Sequence, residues 1–480
     1  MEGNTSAKRG DDVPEIPSHI FRAYDIRGIA GDELTDEGAY RIGLAFGERC
    51  FLAGLRGVAL GGDNRPSTPA LSEAFAQGVI EAGPDVYDVG LQPTPVVYFA
   101  RVMLKGVGVA VITASHNPKA YNGIKLGYAD AALSEEEIQD LGRSAQTARA
   151  SGIGRGRRRL TAVHDAYVEE WTRLIGGPHN LKVVVDCGNG TAGLYEPSLS
   201  QVGAGSATGI FIEPDADYPN HHPDPSVPKN LEALARRVQE TGSDIGVAYD
   251  GDADRLGLVD DRGRFVPLDR LMILLWEEIL RERPGAPALV EVKCSKLLYE
   301  AIERWGGHPE FCRSGHAPIK ILMKAKGVPF AGELSGHFFF SDHYHGYDDG
   351  LYAAGRVYQL LARGDRPLSE RIDTLPKTVA TPEIRFEVSE QAKFAQVDRM
   401  ARAYKSRYPV VTVDGVRVLF PRGWALVRAS NTQPVAVFRA EGDDEEALSE
   451  ILADVGHMAS VENFDALAKA VSGPEAAERI

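Results

Sequence analysis

The sequence predicts an α/β protein of several domains whose last section is built on a different plan. Three observations carry this. At 480 residues and about 150 residues per domain, the chain divides into about three units, with two or four also possible. Apolar runs ending in glycine- or acid-rich turns alternate with amphipathic stretches over residues 55–340. Past residue 382 that rhythm stops, and "EIRFEVSE", "VVTVDGVRVLF" and "GWALVRASNTQPVAVFRAEG" read as strands and hairpins with flanking helices. Four domains fit better than three: α/β units at 1–160, 161–268 and 269–378, and an α+β unit at 379–480.

Each element follows from its local pattern. "LRGVALGGD" (55–63) is a strand entering a glycine turn, and "TPALSEAFAQGVIEAG" (68–83) is an amphipathic helix with a glycine stop. "VGVAVITAS" (107–115) is the next strand, and "LSEEEIQDLGRSAQTA" (133–148) is an acid-led helix with Ser134 as N-cap. The Gly/Arg-rich "SGIGRGRRR" (151–159) reads as a solvated linker closing the first unit. The second unit starts with the strand and glycine turn "LKVVVDCGNGTAG" (181–193). It continues through the Pro/Asp loop 213–230 and the helix "NLEALARRVQETG" to the strand before "DGDADR". The third runs from "DRLMILLWEEILRER" (269–283) past "PALVEVKCS" (287–295) to "VPFAGELSGHFFF" (328–340). No short fixed repeat is present. One device recurs three times: a buried strand whose C-terminal end meets a loop of polar chemistry, which is where open α/β sheets bind ligands.

The totals exclude several classes. A hydrophobic share of 43%, with 25% charged residues, is that of a globular chain in water. A net charge of -15 argues against a polyanion-binding surface over the whole molecule while leaving room for a local basic cleft, and "RGRRR" has no interleaved aromatics. Cys50, Cys187, Cys294 and Cys312 are far apart without zinc or CxxC spacing, which suits free thiols in a reducing compartment. The first twenty residues lack an apolar core and read as a polar lead. "LMILLWEEIL" is broken by two glutamates and is too short to span a bilayer. A cytoplasmic protein without membrane or nucleic-acid partners is expected.

The strongest chemical signal is "DGDADR", in which Asp250, Asp252 and Asp254 crowd one tight loop. Like charges 4 Å apart repel by about 1 kcal/mol in water and about 4 at an effective dielectric of 20. Such a trio favours a hard divalent cation, and oxygen donors suit magnesium. An EF-hand fails because Arg255 stands where that loop needs glycine; a solvated acidic turn is the plainer alternative. Carboxylates alone leave room for a phosphate oxygen, and Ser115 beside His116 offers a hydroxyl to carry one, with helix capping as its bland counterpart. Arg27, Lys125 and Arg255 are the cations available to steady a moving phosphoryl group if their loops converge. "GELSGH" sets Glu333, Ser335 and His337 among glycines, suited to a hydroxyl-rich ligand or to a capped turn. "RASNTQP" gathers Arg428, Ser430, Asn431 and Thr432 into a phosphate cradle or a polar hairpin. "DCGNGTAG" lacks P-loop spacing and reads as close strand–helix packing, and His221 and His222 read as loop residues.

Together "YDIRG", "TASHNP", "NGIK", "DGDADR", "VKCS", "SGH", "GELSGH" and "RASNTQP" stand in the order and rough spacing of the α-D-phosphohexomutases. The chain resembles their bacterial phosphomannomutase/phosphoglucomutase branch from about Phe21 to Gly442 and beyond. The resemblance implies a heart-shaped arrangement of three related α/β domains and a fourth of other fold around a central cleft. It implies Ser115 as phosphoserine, with Mg2+ held by that phosphate, Asp250, Asp252 and Asp254. Arg27, His116, Lys125 and Arg255 would serve phosphoryl transfer. Tyr24, Lys293, His316 and Glu333, Leu334, Ser335, Gly336 and His337 would hold the sugar. Arg428, Ala429, Ser430, Asn431 and Thr432 would hold the non-reacting phosphate. The implied substrates are hexose phosphates, mannose ahead of glucose, turned over through a hexose 1,6-bisphosphate that also activates, in a monomer or weak dimer feeding nucleotide-sugar and polysaccharide synthesis. A phosphoglucosamine mutase, a metal-dependent phosphatase and a non-catalytic phosphosugar sensor are the alternatives. Ala253 stands where glycine is common in the metal loop, and its methyl should be tolerated; Leu334 replaces a residue that varies with sugar preference.

Overall fold

The computed structural model describes residues 15–128, 132–150, 156–389, 391–430, 435–473 and 476. The first sheet has strand order β1 (Ile26–Ile29), β5 (Tyr121–Gly127), β4 (Gly108–Ile112), β2 (Gly57–Gly62), β3 (Asp85–Leu91) and β6 (Arg158–Leu160). Its helices are α1 (Asp36–Leu52), α2 (Thr68–Glu81), α3 (Thr94–Leu104) and α4 (Glu135–Thr147). Ser134 caps α4 through a reciprocal capping box with Glu137, and α2 stops before Gly83, whose φ of 116 suits only glycine. One expectation fails here. The "RGRRR" run is no free linker: its last residues form edge strand β6, parallel to β3, because Arg158 pairs with Glu73 and Asp88 and Arg159 with Asp85.

The second unit carries α5 (His164–Ile175), β7 (Leu181–Asp186), α6 (Ser198–Gly203), β8 (Gly205–Ile210), α7 (Glu232–Thr241), β9 (Ile245–Tyr249) and β10 (Leu256–Asp260), with sheet order β10-β9-β7-β8. The third carries α8 (Leu268–Glu282), β11 (Pro287–Glu291), α9 (Lys296–Arg304), β12 (His308–Cys312), α10 (His316–Lys326), β13 (Phe330–Gly332), β14 (Phe338–Phe340), α11 (Gly350–Ala362) and α12 (Leu368–Asp373).

The three units share one strand plan. A first strand lies parallel to the second, the third lies on the first strand's other side, and the fourth returns antiparallel to the third. In the first unit these are β2, β3, β4 and β5; in the second, β7, β8, β9 and β10. In the third, β11 pairs with β12 and β13 with β14, and β13 lies beside β11. The connection from third to fourth strand is the recurring polar loop: residues 113–120, 250–255 and 333–337.

The last unit is a mixed helix and antiparallel-sheet domain. Strands β15 (Val379–Ala380), β16 (Ile384–Glu387), β17 (Val410–Val411), β18 (Val416–Phe420), β19 (Gly423–Ala429) and β20 (Val435–Gly442) are backed by α13 (Lys393–Lys405), α14 (Glu445–Val461) and α15 (Asp465–Val471). One apolar core runs through the first three units, around Trp171, Trp276 and Tyr358. The last has a core of its own and meets the third through Val292, Trp424 and Leu426. Among the described residues, no helix is long and apolar enough to cross a membrane. All four cysteines are buried and free.

Candidate active site

Ser115 sits at the C-terminal end of β4 with φ 52, a left-handed conformation that a non-glycine residue adopts only when its surroundings impose it. Arg65 imposes it. Fully buried and paired with Asp63 at 3.0 Å, its guanidinium donates to four backbone carbonyls of this loop: Ser115 and Asn117 at 2.7 and 2.6 Å, Pro118 and Tyr121 at 2.8 and 3.0 Å. Thr113 Oγ1 accepts from the Ser115 amide at 2.9 Å and donates to Asp63. The loop is thereby fixed independently of any ligand.

The Ser115 hydroxyl donates to Asp250 Oδ2 at 2.6 Å, and His116 Nδ1 lies 3.1 Å from Ser115 Oγ. The acid loop reaches it because Gly251 has no side chain: a Cβ there would stand 2.7 Å from the Ser115 carbonyl oxygen. Asp250, Asp252 and Asp254 are fully buried, with ligand oxygens within 4.8 Å of one another. Lys125, from β5, inserts its ammonium between Asp252 at 2.7 Å and Asp254 at 2.6 Å. Thr94 and Thr113 add hydroxyls to Asp252 Oδ2 at 2.6 and 3.2 Å.

Burial first, then the neighbouring carboxylates, pushes Asp250 well above the ordinary carboxylate range. Burial acts the same way on Asp252 but is outweighed by Lys125, which holds that carboxyl low. Burial would strip Lys125 of its proton, yet the two carboxylates outweigh it and keep the amine charged. His116 is driven well below its ordinary value by burial and by Arg255 and Arg27, so its imidazole is neutral near pH 7. Three buried acids crowd one lysine and one nearby arginine, and Asp252 Oδ1 and Asp254 Oδ1 have no hydrogen-bond partner. An all-oxygen set with two orphaned oxygens beside an exchangeable hydroxyl fits a hard divalent cation, so this group can hold a metal.

Arg255 places its Nε 3.8 Å from Asp250 Oδ2 and donates it to His337 Nε2 at 3.0 Å, joining the second unit to the third. The Leu256 amide donates to the Gly336 carbonyl at 2.9 Å across the same junction. Arg27 donates to Asn117 Oδ1 at 3.0 Å and pairs with Asp25. Of the predicted cations, Arg27 thus reaches the serine loop, and Lys125 and Arg255 reach the acid loop that touches it.

The predicted sugar residues form a second wall. Glu333 Oε1 accepts the Gly315 amide at 2.7 Å while its other oxygen is buried without a partner. Both ring nitrogens of the buried His316 are likewise unpartnered. Burial, then Glu291, raises the Glu333 pKa; burial, then Lys320, drops that of His316. Leu334 gives its amide to Glu291 at 2.8 Å, Ser335 is half-buried at the tip, and Tyr24 donates its hydroxyl to the Ser314 carbonyl at 2.9 Å. Lys293 lies between Glu291 at 3.2 Å and Glu383 at 3.4 Å. Its turn is gripped from the last unit: Arg417 donates to the carbonyls of Val292 and Cys294 at 2.6 and 2.7 Å, and Arg439 to that of Lys293 at 3.1 Å. Arg428 meets Asp414 at 3.1 Å, and the Ser314 amide donates to the same carboxylate at 3.2 Å. Ala429 pairs with Ala436, and the Ser430 carbonyl accepts Lys393 Nζ at 2.5 Å; Asn431 and Thr432 lie outside the described residues. Sequence reasoning missed Arg65, Asp63, Thr94, Glu291 and Asp414. The first two carried a usable signal, since charges directly after the all-buried strand β2 are as unexpected as those after β9.

Models of one family cover the chain in order. They are the phosphoglucomutase/phosphomannomutase α/β/α domain I over residues 18–151, domain II over 165–263, domain III over 267–379 and the C-terminal domain over 383–457. The chain is 42% identical over 441 residues to a phosphomannomutase/phosphoglucomutase of Pseudomonas aeruginosa, spanning 92% of this chain and 95% of the relative. A phosphoglucomutase of Neisseria meningitidis is 38% identical over 445 residues, spanning 92% and 96%. A crystal structure of a phosphoglucomutase/phosphomannomutase family protein from Burkholderia thailandensis matches with TM-score 0.86 at 38% identity, covering 93% of this chain and 98% of that one.

Proposed function

The chain belongs to the phosphoglucomutase/phosphomannomutase family, and from that premise we propose that it interconverts hexose 1-phosphate and hexose 6-phosphate, mannose first and glucose second. Ser115 carries the phosphoryl group. The phosphoserine gives its phosphorus to the free 1- or 6-hydroxyl of the bound monophosphate, forming a hexose 1,6-bisphosphate and releasing the Ser115 oxygen. The bisphosphate reorients in the cleft, and its other phosphoryl group returns to Ser115. Neutral His116, 3.1 Å from Ser115 Oγ, is placed to exchange a proton with that oxygen through Nδ1. Arg27, Lys125 and Arg255 meet the charge on the moving group. Mg2+ held by Asp250, Asp252, Asp254 and the serine phosphate would supply Lewis-acid stabilisation of the transferring oxygens. The unpartnered polar atoms of Glu333 and His316, with Tyr24, Lys293 and the 334–337 loop, take the sugar, and the Arg428–Thr432 turn takes the phosphate that is not reacting.

The observation that carries this reading is the 2.6 Å contact of the Ser115 hydroxyl with Asp250, inside a buried carboxylate trio that also holds a charged lysine. The test incubates mannose, glucose and glucosamine 1-phosphates with Mg2+ and a trace of the cognate 1,6-bisphosphate. Formation of 6-phosphates, abolished by chelator and restored by Mg2+, is expected, fastest with mannose. Release of inorganic phosphate alone would make the chain a phosphatase, and binding without turnover a sensor. Preference for the amino sugar would make it a phosphoglucosamine mutase.

A further inference from the structure

Glu291, the last residue of β11, is fully buried, and its two carboxylate oxygens collect three segments of the third unit. Oε1 stands 3.2 Å from Lys293 Nζ and accepts the Ser314 hydroxyl at 2.7 Å, and Oε2 accepts the Leu334 amide at 2.8 Å. The three donors follow the ends of β11, β12 and β13. Each belongs to a segment that carries a proposed sugar contact: Lys293 itself, Ser314 two residues before His316, and Leu334 next to Glu333. The Gly315 amide, donating to Glu333 Oε1 at 2.7 Å, closes the last two segments on each other. The side-chain atoms of His316 and the second oxygen of Glu333 stay unpartnered, so these segments are held from behind while their polar atoms are left for a ligand. The first unit uses an acid in the same way: Asp63, directly after β2, pairs with Arg65 and accepts the Thr113 hydroxyl to fix the serine loop.

The position requires a carboxylate and not merely a polar side chain. Three donors face it, one of them an ammonium, and an ionised carboxylate accepts from all three. A glutamine of the same length has one acceptor oxygen. Whichever way its amide turns, an NH2 group meets either the Lys293 ammonium or the Leu334 N–H, donor against donor. We propose that Glu291 is a positioning residue for the hexose: acting through Lys293, Ser314 and Leu334, it sets the Lys293 ammonium, the His316 ring and the Glu333 carboxylate at the spacing that the sugar hydroxyls meet. The Arg428 turn, which takes the non-reacting phosphate, is held instead by Asp414 of its own unit at 3.1 Å. Sugar recognition and phosphate recognition therefore have separate supports.

The assignment rests on the reading of this cleft as a hexose phosphate site, but not on turnover. Calorimetry therefore uses the full chain carrying Ser115→Ala, with Mg2+, so that binding is read without reaction. Adding Glu291→Gln should weaken mannose 1-phosphate and glucose 1-phosphate about 10- to 100-fold, with inorganic phosphate changed less than about threefold. With Ser115 restored, KM should rise by a similar factor while kcat stays within about threefold, as when an interaction is lost equally from bound substrate and transition state. Ser314→Ala removes one of the three donors and leaves the main-chain bonds of residue 314 to Tyr24 and Asp414 in place. It should weaken the sugar phosphates about three- to tenfold, and it decides the matter if the glutamine variant does not fold. Unchanged sugar phosphate affinity in either folded variant overturns the proposal. So does an equal loss for inorganic phosphate, which would mark a general disturbance of the cleft. A parent chain that binds hexose phosphates without turning them over would overturn the mutase reading and leave the role of Glu291 standing; one that binds none would overturn both.

Discussion

The loop of Ser115 and the loop of Asp250 to Arg255 join equivalent strands in neighbouring units, and opposite means hold them. The first is gripped from within its own unit by one side chain, Arg65, on four carbonyls. The second is held by backbone from all three units: the Thr94 amide donates to the Asp252 carbonyl at 2.9 Å, Thr191 to Gly251 at 3.0 Å and Gly350, opening α11, to Ala253 at 3.1 Å, while Leu256 donates to Gly336. Both contain one non-glycine residue in the left-handed region, Ser115 at φ 52 and Ala253 at φ 59, where the 333–337 loop uses Gly336 at φ 101. On the proposed reaction, a loop that presents the transferring oxygen through many cycles gains from a fixed clamp. A loop that supplies charge to a partner across a cleft can take its shape from the docking of the units.

The largest effect should come from removing what only the first loop supplies. Ser115→Ala leaves the Arg65 clamp intact, since that clamp touches only carbonyls. Mutase turnover should fall by roughly four orders of magnitude or more, while calorimetric binding of the hexose phosphate persists. Undiminished turnover would move the phosphoryl carrier elsewhere. The clamp itself is tested by Arg65→Met, which strands the buried Asp63 and four carbonyls. Losing one partner of a buried ion pair costs about 3–5 kcal/mol, read from urea unfolding of the transition that exposes the first unit. A change below about 1 kcal/mol would show that the loop holds its own shape and would end the contrast drawn between the two loops.

These two residues also mark what the sequence revealed. Ser115 and the acid trio were legible because small or charged residues cannot end an all-buried strand without a partner, and the family motifs gave the partner. Four domains were legible from the change of rhythm after residue 382. Arg65 was legible only in part: its charge after the all-buried strand β2 was a usable signal, but its acceptors are main-chain carbonyls, which no side-chain pattern announces. Asp414 was hidden for a related reason: it accepts the Ser314 amide of another unit, and only the assembled cleft brings the two together. The edge strand β6 was misread because charge on an exposed strand looks like linker composition until the acids opposite it are placed.

A third test reaches the docking that holds the second loop. Asp349 caps α11, accepting the Tyr352 amide at 2.8 Å and the hydroxyls of Tyr167 and Tyr344 at 2.9 and 2.8 Å. Burial outweighs these bonds and raises its pKa to about 6, above the ~3.9 of an exposed aspartate. The folded chain thus holds this proton more tightly than the unfolded chain. The stability it contributes is full below the unfolded value and is lost as pH rises through about 6. A gap of about two units is worth about 3 kcal/mol. Asp349→Asn should therefore flatten the melting-temperature profile between about pH 4 and 6. An unchanged profile would mean that the carboxylate ionises there without cost to the docking.

The smallest effect belongs to Ala253, and its size decides whether the second loop stores strain. An L-residue in the left-handed region costs about 1–2 kcal/mol, which Ala253→Gly would relieve. Against that, the methyl is fully buried; losing it forfeits about 0.8 kcal/mol of burial, and glycine adds about 0.5–1 kcal/mol of unfolded-chain entropy. The opposing contributions nearly cancel, so the variant should lie within about 0.5 kcal/mol of the parent with turnover unchanged. The bonds that fix this turn, Ala253 N–H to the Asp250 carbonyl and the Ala253 carbonyl to Gly350, are main-chain and survive the change. A gain above about 1 kcal/mol would show strain stored in the metal loop as it is in the serine loop; a loss of that size would show that the methyl, not the docking of α11, holds the acids in register.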